Sequence, residues 1–148
     1  MIFFDLDHFK EVNDTHGHLR GSQVLKEVAV IVEDVFLNSG AASAGYGEDE
    51  FVILLPGYSL EKSNDYGEAL RDAIEKNVFI KEGPSQGDPP LNIKGVITCG
   101  VATASLEKGN DPKKMQATLI RAADTALYRT KDLGKNLVSL NGTLEAAG

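Results

Sequence analysis

The sequence predicts an α+β domain with a mixed β-sheet. Short apolar runs of strand length occur at 2–6, 51–55, 93–104 and 137–140. Longer segments with helical spacing of apolar residues occupy 22–37, 59–77 and 112–132. With a short strand of small residues before 51–55, the order is β-α-β-β-α-β-α-β, which is an α+β pattern.

The first half of the chain supplies three strands and one helix. Residues 2–6 read as an apolar, aromatic strand, and 8–18 as a polar connection with at most a helical turn. Gly21-Ser22 opens an amphipathic helix over 22–37, and Asn38-Ser39-Gly40 ends it. A hairpin follows, in which the run 51–55 predicts a strand buried on both faces and Gly47 is free to take a positive φ.

The second half is read in the same way. A helix runs from about Ser59 to Asn77, with Gly67 weakening its middle, and 81–91 form a turn-rich loop. A strand covers 93–104. Asp111-Pro112 then supplies an N-cap and first residue for a helix that ends near Asp132 before Gly134. Residues 137–140 predict a last strand, and 142–148 a frayed tail.

Composition excludes several classes of protein. At 148 residues the chain is long enough for one domain with a proper core. The net charge of −7 argues against a surface that binds a nucleic acid polymer. The one cysteine, Cys99, lies in an apolar segment and is expected to be an inert core residue. We find no signal peptide and no apolar run of membrane-spanning length, so no membrane contact is expected from this segment.

Two acidic clusters are the strongest chemical signal. The first strand ends in Asp5-Leu6-Asp7, and the hairpin turn carries Glu48-Asp49-Glu50. If the two strands are neighbours, Asp5 and Asp49 meet at one end of the sheet, where carboxylate oxygens suit Mg²⁺. The alternative is a solvated acidic turn with no ligand.

These clusters lie in three blocks that together resemble one family. Residues 5–18, 47–51 and 122–136 are similar to the three signatures of GGDEF domains, the diguanylate cyclases, in the same order. The resemblance implies a ferredoxin-like βαββαβ core, as in the palm of nucleotide polymerases and adenylyl cyclases. It also implies a bacterial, cytoplasmic enzyme that condenses two GTP into cyclic di-GMP as a homodimer. Because Met1 begins directly on a strand, we expect an N-terminally truncated fragment of a longer chain with an upstream sensor or receiver domain.

The resemblance assigns roles to individual residues. Asp5, Asp49 and the carbonyl of Leu6 would bind Mg²⁺ or Mn²⁺, Asp49 would lie nearest the 3′-OH, and Glu50 would support a second metal or orient the first. The turn at 7–10 would bind the β- and γ-phosphates through its amides, Phe9 included, and through Lys10. The family also implies that two lysines at the end of the last helix, Lys131 and Lys135, reach the triphosphate. A basic cluster at a helix C-terminus is the alternative.

Base recognition departs from the family pattern. Asn13 matches the guanine-binding asparagine, but Ser22 stands where the family has an aspartate. A carboxylate only accepts hydrogen bonds, whereas a hydroxyl also donates, so Ser22 could admit adenine. Serine here resembles a promiscuous subgroup that makes mixed cyclic AMP-GMP from GTP and ATP. The alternative is that Ser22 is simply the N-cap of its helix.

Glu48 is the second departure, because it replaces the second glycine of the motif. It adds bulk and negative charge beside the phosphates, and a positive φ would be strained for glutamate. Glu48 therefore favours an alternative in which the domain binds GTP as a regulatory module without catalysis. The family's product-inhibition motif is absent at 38–41, which argues against a third role as a receptor for cyclic di-GMP.

Overall fold

The computed structural model describes residues 1–82, 87, 89–105 and 111–144, with side chains described up to 141. Their elements are β1 (Ile2–Leu6), α1 (Phe9–His16), α2 (His18–Val35), β2 (Ala42–Gly45), β3 (Glu50–Leu54), α3 (Leu60–Lys76), β4 (Ile97–Ala104), α4 (Pro112–Asp132) and β5 (Val138–Leu144).

The strands form one mixed sheet in the order β2-β3-β1-β4-β5. Strand β1 pairs antiparallel with β3 on one side and β4 on the other, whereas β4 and β5 are parallel. The first four strands with their helices make the ferredoxin-like βαββαβ core, to which α4 and β5 are added. The predicted fold class is therefore confirmed.

Alternation along β1 divides the core between the two faces of the sheet. Ile2, Phe4 and Leu6 belong to the larger core, which buries the inward residues of α2 and α3, among them Val28 and Leu70. On the opposite face, the smaller core joins Met1 and Phe3 to α4 through Ala122, Ala123 and Leu127. Asp5 continues this second row, which places its carboxylate on the α4 side.

Gly100 sets how closely α4 approaches the sheet. A Cβ at this position of β4 would lie 2.0 Å from the carbonyl oxygen of Ala123 and 2.4 Å from the amide nitrogen of Leu127. Both obstacles are backbone atoms, so no side-chain rotation could make room for a methyl group. Gly100 is therefore a packing site, from which α4 continues toward the end of β1.

Two helix predictions need correction. Residues 9–16 form a full helix rather than a connection, because Phe9 is buried and α1 packs along α2. The intrinsic preferences of Asn13, Asp14 and Thr15 hide it. Helix α2 begins at His18, four residues before the predicted start, and Gly17 with φ 83° separates the two helices. Helices α3 and α4 begin and end as predicted to within one residue, with Ser59 and Asp111 as N-caps.

Three strand predictions are also corrected. Strand β3 is only half-buried, and Leu54 remains 43% exposed, because α4 makes its main contacts with β1, β4 and β5. Strand β4 begins at Ile97, since Ile93 forms a separate bridge with Phe79. Strand β5 extends to Leu144 across a register shift in its ladder with β4, so 142–144 are not a frayed end. The rest of the predicted tail, 145–148, lies outside the described residues.

Candidate active site

The sheet brings the two acidic clusters together as predicted. In the β1–β3 ladder Asp5 lies opposite Glu50, and the amide of Leu6 donates to the carbonyl of Asp49 over 3.1 Å. On its other side Asp5 lies opposite Thr98 of β4. The end of the central strand therefore carries Asp5 in contact with the turn that holds Asp49 and Glu50.

Lys131 of α4 reaches into this cluster. Its Nζ lies 2.8 Å from Oδ2 of Asp5, whose residue is 7% exposed. Burial alone would lower the pKa of Lys131, but the hydrogen bond to Asp5 and the charges of Asp5, Asp7 and Asp49 outweigh it and raise that pKa. The lysine is therefore fully charged at neutral pH and bound to a predicted metal ligand. The expectation that it reaches a triphosphate stays a prediction.

The carboxylates of the turn are electrostatically crowded. Burial and the charge of Asp5 raise the pKa of Asp49, and burial with the charges of Asp5 and Asp49 raises that of Glu50. Such a surplus of negative charge fits a divalent cation. Among the described residues, no three acidic, histidine or cysteine side chains are arranged to hold a metal ion by themselves. The predicted metal site has only two side-chain ligands, Asp5 and Asp49, and one backbone carbonyl. The absence of a group of three side chains therefore does not test it.

Asp7 has a role that the sequence analysis missed. It is 5% exposed, and its Oδ2 accepts from Oγ1 of Thr98 over 2.8 Å and from the amide of Asn136 over 3.2 Å. Asn136 in turn donates to Glu75 of α3 and accepts from Arg71. Asp7 therefore holds the segment after α4, including Lys135, against the end of β1. The only sequence signal was a second aspartate two residues after Asp5.

The predicted phosphate-binding turn becomes the start of α1. His8, with φ 63°, precedes the helix, and the amides of Glu11 and Val12 donate to its carbonyl. Phe9 is 3% exposed and belongs to the core, so only its amide can serve a ligand. Lys10 is exposed.

Lys135 lies beside the same turn. Nδ1 of His8 is 2.7 Å from Oε1 of Glu11, and Nε2 of His8 is 3.5 Å from Nζ of Lys135. A proton on Nδ1 satisfies both contacts, because Nδ1 then donates to the carboxylate and Nε2 accepts from the ammonium group. The structure thus places the ammonium group of Lys135 beside His8 at the start of α1.

Asn13 and Glu48 meet although the sequence analysis treated them separately. Nδ2 of Asn13 donates to Oε1 of Glu48 over 3.3 Å. Oδ1 of Asn13 is buried without a hydrogen-bond partner among the described residues, and it lies where a Cβ of Gly21 would be. A side chain at position 21 would therefore displace the Asn13 amide from this orientation.

Two backbone predictions for this region are wrong. Ser22 is exposed within α2, whose N-cap is Gly17, so the serine does not cap the helix. Neither Gly47 nor Glu48 has a positive φ, so the expected strain at Glu48 does not arise. A wider turn between Gly45 and Glu50 removes the need for a left-handed residue, with Tyr46 donating to the carbonyl of Glu50.

Cys99 does not join the site. Cys99 is buried, and burial raises the pKa of its thiol, which agrees with an inert core residue. None of the described helices has the length and apolar character needed to cross a membrane.

The fold is that of α+β domains related to cyclases. The family described as "Diguanylate cyclase, GGDEF domain" matches residues 1–137, and the chain belongs to that family. It is 30% identical over 141 residues to diguanylate cyclase A of Treponema denticola, covering 95% of this chain and 34% of that protein. It is 32% identical over 138 residues to diguanylate cyclase VdcA of Vibrio cholerae, covering 93% of this chain and 38% of that protein.

A solved structure agrees with this assignment. The active GGEEF domain of a diguanylate cyclase from Vibrio cholerae superimposes with a TM-score of 0.77 and 27% identity, covering 95% of this chain and 80% of that one. The present chain spans only about a third of the length of the two curated relatives. The activities of those longer proteins are therefore assigned to this chain only as a proposal.

Proposed function

We propose that this domain condenses two molecules of GTP into cyclic di-GMP. One observation carries the proposal: in a chain of the GGDEF family, the end of β1 holds Asp5 between the Asp49-Glu50 turn and the ammonium group of Lys131. Opposite charges gathered at one strand end suit the binding of a charged triphosphate beside a carboxylate that accepts a proton.

The proposed chemistry assigns a task to each group. The 3′-oxygen of each nucleotide attacks the α-phosphorus of the other, in two successive steps. In each step the bond from that phosphorus to the oxygen that bridges to the β-phosphate breaks and one pyrophosphate leaves, so the second step closes the ring. Asp49 takes the hydroxyl proton, a role that its raised pKa favours. Lys10, Lys131 and Lys135, with the amides at the start of α1, hold the phosphates. Asn13 contacts the guanine.

A divalent cation fits the same carboxylates. Asp5, Asp49 and the carbonyl of Leu6 would hold Mg²⁺ or Mn²⁺, and Glu50 would orient this set. The bound ion would polarise the phosphate and lower the pKa of the attacking hydroxyl.

The reaction also requires a partner. Each domain binds one nucleotide, so two copies of the domain must face each other as a homodimer. We propose that an upstream sensor or receiver domain controls this pairing, and that the domain works in the cytoplasm.

Two residues support alternative functions. Ser22 is exposed and does not cap α2, so its hydroxyl is available for a base, which favours a mixed cyclic AMP-GMP product. Glu48 accepts a hydrogen bond from Asn13, which favours a degenerate module that binds GTP without turnover.

A product assay separates these functions. The purified domain, at a concentration where it is dimeric, is supplied with Mg²⁺ and GTP, ATP or both, and the products are identified by mass. We expect cyclic di-GMP from GTP, and none from Asp49→Asn. The mixed dinucleotide would support the Ser22 alternative. If a dimeric sample bound GTP and yielded no product, the domain would be a regulatory GTP-binding module and not a cyclase.

A further inference from the structure

Glu48 places a carboxylate beside the group proposed to contact the base. Its Oε1 lies 3.3 Å from Nδ2 of Asn13, although the two residues are 35 positions apart. Glu48 is exposed, and it has no positive φ that would restrict its side chain. The carboxylate is therefore accessible to a ligand that approaches Asn13.

The same contact fixes the orientation of the asparagine amide. With Nδ2 donating to Glu48, Oδ1 points toward Gly21 and is buried without a partner among the described residues. Rotating the amide by 180° would set Oδ1 against the Glu48 carboxylate, which repels it. The group that Asn13 presents is therefore its NH₂ donor, and the carboxylate is its immediate neighbour.

A donor beside a carboxylate matches the edge of guanine. Guanine offers the acceptor O6 next to two donors, N1–H and N2–H₂, so the amide can bond O6 while the carboxylate accepts from both donors. Adenine offers only one donor on that edge, N6–H₂, next to the acceptor N1, and leaves one carboxylate oxygen unpaired. Hydrogen bonds to a charged group are stronger than those between neutral groups. The second bond to the carboxylate, which guanine makes and adenine does not, therefore favours guanine.

We propose that Glu48 is a specificity-determining residue that selects guanine over adenine. Through this carboxylate the site keeps its base preference although Ser22 offers only a hydroxyl. The inference rests on the proposed function, since it takes Asn13 as the base contact. It narrows the expected product to cyclic di-GMP.

The test measures binding rather than turnover. The 3′-deoxy triphosphates of guanosine, inosine and adenosine lack the attacking hydroxyl, and inosine lacks N2–H₂. Their dissociation constants with Mg²⁺ are measured by calorimetry for the wild type, Glu48→Gln and Glu48→Gly. Glu33→Gln is the matched control, because Glu33 is exposed on α2 and outside the proposed site.

The wild type should bind the guanosine nucleotide about tenfold or more tightly than the other two. In Glu48→Gln and Glu48→Gly this preference should collapse, chiefly through weaker binding of the guanosine nucleotide, while Glu33→Gln keeps it. Unchanged preferences in both Glu48 variants would overturn the inference and leave the proposed function standing. Equal tightening for all three nucleotides would overturn it too, by showing that Glu48 blocks Asn13. A folded wild type that binds none of them would overturn the proposed function and the inference together.

Discussion

Lys131 and Asp5, which are 126 residues apart in the chain, form an ion pair with an Nζ–Oδ2 distance of 2.8 Å. The pair connects the last helix to the central strand at the point where the acidic turn arrives. Helix α4 reaches this point because it lies against the backbone of β4 at Gly100. The packing of the smaller core therefore positions Lys131. Among the described residues, Lys131 is the only one that forms an ion pair with Asp5.

Replacing Lys131 by methionine should weaken nucleotide binding and lower stability modestly. Methionine keeps the apolar stem, but the carboxylate of Asp5, which is largely buried, loses its cation. Because Lys131 is itself one-third exposed, we expect a loss of about 1–2 kcal/mol in the free energy of unfolding. Urea denaturation measures the loss, and calorimetry with 3′-deoxy-GTP measures binding. Lys114→Met, on an exposed position of the same helix, is the control; equal effects of the two substitutions would refute a specific role for the pair.

Asp7 should matter for stability chiefly through the two hydrogen bonds that it accepts. Asp7→Ala leaves the hydroxyl of Thr98 and the amide of Asn136 without their acceptor, at a cost of about 2–4 kcal/mol in the free energy of unfolding. Asp7→Asn retains an acceptor oxygen and should stay within about 1 kcal/mol of the wild type.

Chemical denaturation of both Asp7 variants, with Thr98→Val for comparison, checks this prediction. Thr98→Val removes one of the two donors and should cost less than Asp7→Ala. If Asp7→Asn proved as unstable as Asp7→Ala, the charge rather than the acceptor would be the essential feature.

How far the site could be predicted from the sequence depends on the range of each contact. Asp5 and Asp49 can be recognised in the sequence, because each lies at one end of an apolar run. Their proximity then follows from the predicted pairing of the two strands. The contact of Asn13 with Glu48 cannot be predicted in this way, since it depends on the path of a turn and on one side-chain rotamer. Helix α1 was missed for another reason: its fold comes from packing along α2, which overrides weak local propensity.

Asp49→Asn should make the domain more stable and remove its activity. The raised pKa of Asp49 means that its charged form is disfavoured in the folded state, by burial first and by Asp5 second. At pH 7 the wild type carries this cost and the variant does not, so the variant should have the higher Tm. As the pH falls toward the ordinary value of 3.8, Asp49 of the wild type becomes protonated and the difference should disappear.

Cyclase activity of the same variant should fall about 100-fold or more, because its amide cannot accept the hydroxyl proton. Asp34→Asn, on the exposed surface of α2, should change neither quantity. A lower Tm for Asp49→Asn at pH 7 would show that the carboxylate is stabilised in the fold rather than crowded.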